Sequence, residues 1–371
     1  MSTSSPRLLI AASGTGGHVF PALAVAEQLQ DWQVEWLGVP DRMEAELIQN
    51  RYPLHTIAMS GLQGSRLKAG LRLLWQLTTG IPQVKARLRQ GRFDAVFTTG
   101  GYIAAPAILA ARWAGIPVLL HESNGIPGKV TTLLGRLCQQ VALGDGAAAR
   151  YLKTVDPARL ITVGTPVRRE FWQQGVISTA LENLGIPAGD RVIGVIGGSQ
   201  GGRGLNQVVL QSAPAWLETG AWILHITGQR EFDTVKRLAP DHPRYRLFPF
   251  WQEMAALLQR VDFVVSRAGS GTLTELAATG TPAILIPFPF AAEDHQFHNG
   301  QGYVQQGAAA MVREGEGAAS TVQQLGLEWL QDPDLLAEKQ RLMKGMATPD
   351  AAAQVANLLQ SLIRTAQAKK S

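Results

Sequence analysis

The chain runs twice through one succession: a short apolar stretch, a glycine-rich loop, then a run of helix formers. Arg7-Leu-Leu-Ile-Ala-Ala12 leads into Gly14-Thr-Gly-Gly-His18 and then Val19 to Leu29. About 180 residues later, Arg191-Val-Ile-Gly-Val-Ile196 leads into Gly197-Gly-Ser-Gln-Gly-Gly-Arg-Gly204 and Leu205 to Leu217. Uninterrupted apolar runs of this length, bounded by glycine, read as strands buried on both faces. Further strands are expected at Val34–Gly38, Phe93–Thr98, Ile116–Leu120, Ala221–Thr227 and Tyr245–Phe250. Asp262-Phe-Val-Val265, a Gly269-Ser-Gly271 turn, a helix over Thr272–Thr279 and a strand over Ala283–Phe288 repeat the pattern again. Strands alternating with helices require parallel sheets with crossover helices.

At 371 residues the chain is too long for one ordinary core. The expected fold is therefore α/β: two facing Rossmann-like, doubly wound parallel-sheet domains with a cleft between them. Gly164 and Pro166 mark the break, which gives an N-terminal domain over 1–165 and a C-terminal domain over 166–371. Leu335–Met346 and Ala351–Ala366 are expected as closing helices of the second domain.

A glycine loop opening a helix presents free N–H groups and the positive end of the helix dipole, which suits an anion. The first loop lacks the last glycine of a G-x-G-x-x-G fingerprint, and no acidic residue closes the second strand, so a nicotinamide or flavin cofactor is disfavoured. His121-Glu-Ser-Asn-Gly125 stands at the carboxyl end of an expected strand, where open α/β sheets bind ligands. Glu275, a turn into its helix, either stabilises the dipole or accepts from vicinal hydroxyls, and the local pattern leaves both open.

Charge is unevenly placed. Residues 1–165 carry 16 Lys and Arg against 10 Asp and Glu, and the remainder 18 against 19. Leu47 to Phe93 has eight basic residues and no acidic one. Between Leu62 and Arg92, Leu67, Leu71, Leu74, Trp75, Ile81, Val84 and Leu88 recur at helical spacing, which predicts an amphipathic helix pair broken at Gly80. Part of that stripe faces a core; the basic residues Arg66, Lys68, Arg72, Lys85, Arg87 and Arg89 with Trp75 suit an anionic lipid surface. The single cysteine, Cys138, excludes an intrachain disulfide and suits a reducing compartment. No stretch approaches the ~18 apolar residues of a spanning helix, and the N-terminus lacks a signal-peptide core, so the expectation is a soluble or peripheral protein.

Five motifs occur in order over nearly the whole length: Gly14-Thr-Gly-Gly-His-Val-Phe-Pro-Ala-Leu-Ala, Thr99-Gly-Gly-Tyr, His121-Glu-x-Asn, Gly197-Gly-Ser-Gln-Gly and Arg267-Ala-Gly-x-x-Thr-x-x-Glu275. In these the chain resembles the family 28 glycosyltransferases of the glycosyltransferase-B fold that add N-acetylglucosamine in peptidoglycan synthesis. It departs at Ser123, Thr165 and Trp251, where that family commonly has Gln, Asn and a smaller apolar residue.

The resemblance implies inverting transfer of N-acetylglucosamine from UDP-N-acetylglucosamine to the 4-hydroxyl of a lipid-linked muramyl-pentapeptide. It implies no cofactor and no metal, and a peripheral place on the cytoplasmic face of the bacterial inner membrane. It also implies roles. Thr15, Gly16 and Gly17 approach donor sugar and acceptor diphosphate. Asn124 holds a sugar hydroxyl, where its residue type alone would equally suit an Asx turn. Arg168 and Ser199 engage the donor diphosphate, beside the Gly197–Gly202 backbone. Gly269, Ser270, Gly271 and Thr272 line the donor site, Glu275 takes the ribose hydroxyls, and Trp251 borders the uracil through its backbone. His295 and Gln296 contact the sugar. His18 and Glu122 are rival candidates for the base, imidazole and carboxylate both being side chains that serve as bases.

Two other classes fit parts of the sequence. A nucleic-acid-binding protein would use the basic stretch, but the groove-reading helix or aromatic-interleaved sheet is missing and no nucleic-acid partner is expected. Another sugar-nucleotide enzyme of the same fold, a diglucosyl-lipid synthase or an epimerase, shares the glycine loops.

Overall fold

The computed structural model describes residues 5–40, 47–59, 66–176, 178–198 and 202–369, with backbone alone over 66–74. The chain divides into two compact units, Met1–Arg168 with Thr348–Ser371, and Arg169–Ala347.

The first unit is built on seven parallel strands: β1 (Arg7–Ala11), β2 (Gln33–Gly38), β3 (Leu54–Thr56), β4 (Ala95–Thr98), β5 (Val118–Glu122), β6 (Gln140–Leu143) and β7 (Leu160–Thr162), in the order β3-β2-β1-β4-β5-β6-β7. Alternate residues of β1 enter different cores, which is why Leu8 to Ala11 are all apolar. Leu9 and Ala11 pack with Val84 and Leu88 of α2 (Arg66–Gln90) and Ile108 of α3 (Ala104–Ala114). Leu8 and Ile10 pack with Val19 and Leu23 of α1 (Gly16–Ala26). A short α4 (Lys129–Leu134) follows β5.

The expected helix pair over 62–92 is instead one helix, α2, running across Gly80 and Pro82. Gly80 is buried, beside Ile57 and Pro106, in the middle of the packed helix and does not end it. The helix expected from Val19 starts at Gly16, which makes Gly16, Gly17 and His18 its first turn. Pro21 accordingly lies beyond the first turn and leaves the Gly17 carbonyl without its helical donor.

After the short α5 (Thr179–Glu182), the second unit has six parallel strands: β8 (Val192–Ile196), β9 (Trp222–Ile226), β10 (Tyr245–Phe248), β11 (Phe263–Ser266), β12 (Ala283–Leu285) and β13 (Ala309–Met311), ordered β10-β9-β8-β11-β12-β13. Its helices are α6 (Arg203–Glu218), α7 (Phe232–Leu238), α8 (Met254–Arg260), α9 (Ser270–Thr279), α10 (His295–Gln305), α11 (Ala318–Gln331) and α12 (Pro333–Gly345).

The last helix, α13 (Ala351–Ala368), leaves this unit. Val355, Ala356, Leu359, Leu362 and Ile363 join Val19, Leu23 and Phe97 in the first unit's core. The sequence reading places all of 166–371 in the C-terminal domain; the contacts put Arg168 and everything from Thr348 with the first unit. An amphipathic helix does not announce which core its apolar face will enter, and full burial of each Leu or Ile contributes about 1.5–3 kcal/mol wherever it occurs. With this division the first unit carries 20 Lys and Arg against 11 Asp and Glu, and the second 14 against 18.

Both sheets reverse strand order once, between β1 and β4 and between β8 and β11. Ala11 pairs with Thr98 and Ile196 with Ser266, so the loops leaving each pair emerge side by side. These are the topological switch points at which open α/β sheets bind ligands.

Candidate active site

At the first switch point the Gly14–His18 stretch meets Thr99–Gly101. Gly100 and Gly101 have φ of 86° and 74°, and side chains added there would run into the His18 ring at 3.7 and 3.3 Å. Conformation therefore favours glycine at both positions, and at Gly101 the closeness of the His18 ring adds a demand for space. His18 Nδ1 lies 2.7 Å from the Thr99 carbonyl, and Thr99 Oγ1 donates to the His18 carbonyl at 2.9 Å. A carbonyl can only accept, so in the neutral ring Nδ1 carries the proton and Nε2 the lone pair.

Glu122 ends β5 and is buried. Its Oε1 accepts from Asn124 N at 3.1 Å and Asn124 Nδ2 at 2.9 Å; its Oε2 accepts from Gly128 N at 3.0 Å and Thr131 Oγ1 at 2.6 Å. Four donors on one carboxylate bind the 122–131 loop into a fixed shape, and they hold the Asn124 amide with it. Thr131 also borders Gly100, so His18 and Glu122 belong to one cluster. Thr15, exposed, is the N-cap of α1, with Gly16 and Gly17 following it. Arg168, at the end of the first unit, lays its guanidinium 4.0 Å from the Phe20 ring centroid of α1.

At the second switch point the Gly197 loop and the start of α9 lie beside each other. Ser199 lies outside the described residues, as does the Gln200–Gly201 backbone. Helix α9 begins at Ser270 with Gly269 as N-cap, two residues before the expected Thr272, so Ser270, Gly271 and Thr272 form its first turn. Glu275, half-buried, follows in the second turn. The Trp251 ring is buried edge-on against Phe248, with Nε1 donating to the Glu253 carbonyl at 3.2 Å, which leaves backbone as what this residue can offer a ligand. His295 opens α10 and bonds the Ala292 carbonyl through Nδ1 at 2.9 Å. Gln296 Oε1 accepts from Phe288 N at 2.9 Å, so its NH₂ group is the end able to donate to a ligand.

Sequence reasoning misses the groups behind these loops. Asn206, in α6, donates through Nδ2 to the Thr227 carbonyl at 3.2 Å, which turns its Oδ1 to His225 Nε2 at 3.0 Å. His225 Nδ1 then accepts from the Tyr245 hydroxyl at 2.7 Å. This buried chain ties α6 to β9 and β10 just behind the glycine loop, and burial holds the His225 imidazole down at about 3. Arg267, also buried, pairs with Glu314 and donates to the Ile286 and Pro287 carbonyls at 3.0 and 3.3 Å. Burial lowers its pKa while Glu314 raises it. His225, a polar residue inside an apolar strand, and Arg267, which opens the fifth motif, are the sequence signals here; Asn206 and Glu314 carry none, and neither do β6, β7, β13 and α11.

Among the described residues no three His, Cys, Asp or Glu side chains converge as a metal site, and no helix is long and apolar enough to cross a membrane.

Residues 8–143 match the glycosyltransferase family 28 N-terminal domain, and residues 192–355 the glycosyltransferase family 28 C-terminal domain. The chain is 56% identical over 359 residues to a Synechococcus sp. (strain JA-2-3B'a(2-13)) protein named UDP-N-acetylglucosamine–N-acetylmuramyl-(pentapeptide) pyrophosphoryl-undecaprenol N-acetylglucosamine transferase, covering 97% of this chain and 96% of that one. A protein of the same name from Nostoc punctiforme is 48% identical over 367 residues, covering 98% and 100%. The crystal structure of Acinetobacter baumannii MurG superposes with a TM-score of 0.74 at 30% identity, over 96% of this chain and 99% of that one. A UDP-GlcNAc 2-epimerase from Neisseria meningitidis, with a TM-score of 0.72 at 13% identity over 96% and 100%, shares the fold alone. Two parallel sheets with glycine loops at both switch points, matched end to end by relatives at this identity, place the chain in glycosyltransferase family 28.

Proposed function

We infer that this protein is an inverting N-acetylglucosaminyltransferase. It moves N-acetylglucosamine from UDP-N-acetylglucosamine to the 4-hydroxyl of undecaprenyl-pyrophosphoryl-N-acetylmuramyl-pentapeptide, the lipid-linked step of peptidoglycan assembly. The observation that carries this is near full-length identity of 56% to a transferase of that name.

Inversion in one displacement requires a base for the incoming hydroxyl and stabilisation of the departing diphosphate. His18 is the base. Its Nδ1 is committed to the Thr99 carbonyl, which leaves Nε2 to take the proton. The four donors on Glu122 support a different role for that residue, as organiser of the loop that carries Asn124. The N-terminal end of α6, with Ser199, and Arg168 stabilise the leaving diphosphate; helix dipole and guanidinium suit that charge. Glu275 accepts from the ribose hydroxyls, the Trp251 backbone borders the uracil, and His295 with the Gln296 NH₂ contact the sugar. Thr15, Gly16 and Gly17 approach sugar and acceptor, and Gly269–Thr272 line the donor site.

The acceptor is anchored in lipid, and we place the protein peripherally on the cytoplasmic face of the membrane through its basic first unit. Support comes from Trp75 and Trp113, 62% and 67% exposed on α2 and α3, with Lys85 Nζ 4.7 Å from the Trp113 ring centroid. Exposed tryptophans beside cations suit an anionic interface.

The test is turnover of UDP-N-acetylglucosamine with and without the lipid-linked muramyl-pentapeptide. UDP release that depends on the acceptor, with equimolar disaccharide-lipid formed, is expected. Consumption of the donor without acceptor, yielding its 2-epimer, would overturn the reading.

A further inference from the structure

Arg313 and Glu314 follow the edge strand β13, whose ladder Val312 N extends by bonding the Leu285 carbonyl at 2.9 Å. No glycine motif includes them. Their adjacent side chains nevertheless reach two separate parts of the second unit.

Arg313 pairs with Asp294 at 2.6 Å and lays its guanidinium 4.0 Å from the Phe297 ring centroid. Asp294 and its neighbour Glu293 both have φ of 54°, the left-handed region that side chains rarely adopt. Two such residues in succession hold only where the surroundings over-determine them. The turn they make opens α10 and sets the direction of His295 and Gln296, and the Phe288–Gln296 bond fixes the amide that results.

Glu314 works at the other end. It pairs with buried Arg267, which in turn holds the Ile286 and Pro287 carbonyls ahead of Phe288. Its carboxylate also fills the space where a side chain at Gly204 would stand, in the first turn of α6, and a side chain at Gly202 would meet Arg267 Nε at 3.3 Å. Both contacts sit under the glycine loop.

We propose that the Arg313–Glu314 dipeptide positions the donor, Arg313 setting the sugar end through the Glu293–Asp294 turn and Glu314 setting the diphosphate end through Arg267. Both are positioning residues, since neither is among the groups expected to touch the donor. The proposal rests on the sugar-nucleotide reading above.

Calorimetric titration of UDP and of UDP-N-acetylglucosamine separates the two ends, because UDP lacks the sugar. Arg313→Ala is expected to bind UDP within about twofold of the parent and UDP-N-acetylglucosamine about tenfold more weakly, a difference of ~1.4 kcal/mol. Arg313→Lys, which keeps the charge without the planar face, is expected to fall between. Glu314→Gln is expected to weaken both ligands by the same factor. Steady-state preference for UDP-N-acetylglucosamine over UDP-glucose should drop in Arg313→Ala and hold in Glu314→Gln. A variant set in which melting temperatures move while the ratio of the two affinities stays constant would overturn the proposal, as would loss of UDP binding in Arg313→Ala. A parent protein that binds neither ligand would overturn the sugar-nucleotide reading together with it.

Discussion

The roles proposed for His18 and Glu122 rest on their hydrogen-bond partners. Both stand at strand or helix ends of the first switch point, and either could serve as base by residue type. The imidazole has one nitrogen engaged by the Thr99 carbonyl; the carboxylate has both oxygens occupied by four donors. His18→Ala is therefore expected to lower kcat by about 10²–10⁴ with donor KM and melting temperature nearly unchanged. Glu122→Gln puts an NH₂ where donors already point. It should cost about 1–3 kcal/mol of stability with a smaller fall in kcat, which thermal melts and steady-state rates would separate. A larger fall in kcat in Glu122→Gln than in His18→Ala would exchange the two roles. Glu275→Ala should raise donor KM more than it lowers kcat, because ribose contacts persist from ground to transition state, with a loss of about 1.5–3 kcal/mol. An unchanged donor KM would remove Glu275 from the ribose.

Among the elements, those that were legible in the sequence are the ones whose residues report a single environment. β1, β8 and β11 are apolar and buried apart from Arg7 and Ser266 at their ends, and the glycine loops after them announce the turn into a helix. The short strands β3, β6, β7 and β13, of three or four residues each, bury too little to stand out. Helix α2 reads as two in the sequence because glycine commonly breaks helices, whereas here the packing of Val84 and Leu88 beyond Gly80 carries the helix on.

Two predictions belong at this scale. Replacing Trp75 and Trp113 with Ser should weaken binding to anionic vesicles and slow turnover of the long-chain acceptor, with a short water-soluble acceptor analogue turned over as before. Vesicle binding equal to the parent's would place the membrane face elsewhere. The second concerns the link from α6 to β9. Burial holds His225 at about 3 against its ordinary 6.5. The unfolded chain takes up a proton below about 6.5 that the folded chain refuses. The stability is therefore fully present above that value and falls as pH drops toward 3. Melts of the parent between pH 7.5 and 4.5 should lose stability more steeply than those of His225→Gln, and parallel curves would contradict this.

For the whole molecule, the sequence made the number of sheets, their parallel character and the family legible, and it misplaced the chain's end. Which core receives α13 depends on where the rest of the chain has already left an uncovered apolar face, and no local pattern encodes that. The structural division sharpens the charge asymmetry, from +6 and −1 to +9 and −4. On the proposed function the basic unit takes the lipid-linked acceptor and meets the membrane, and the acidic unit takes the nucleotide. The proposed reaction is one displacement at the anomeric carbon, with no covalent intermediate on the protein. The configuration of the new bond tests that most directly. In the disaccharide-lipid made from the α-linked donor, nuclear magnetic resonance should find N-acetylglucosamine joined β to the 4-hydroxyl of the muramyl residue. An α linkage would mean retention, and would contradict single displacement with His18 as base.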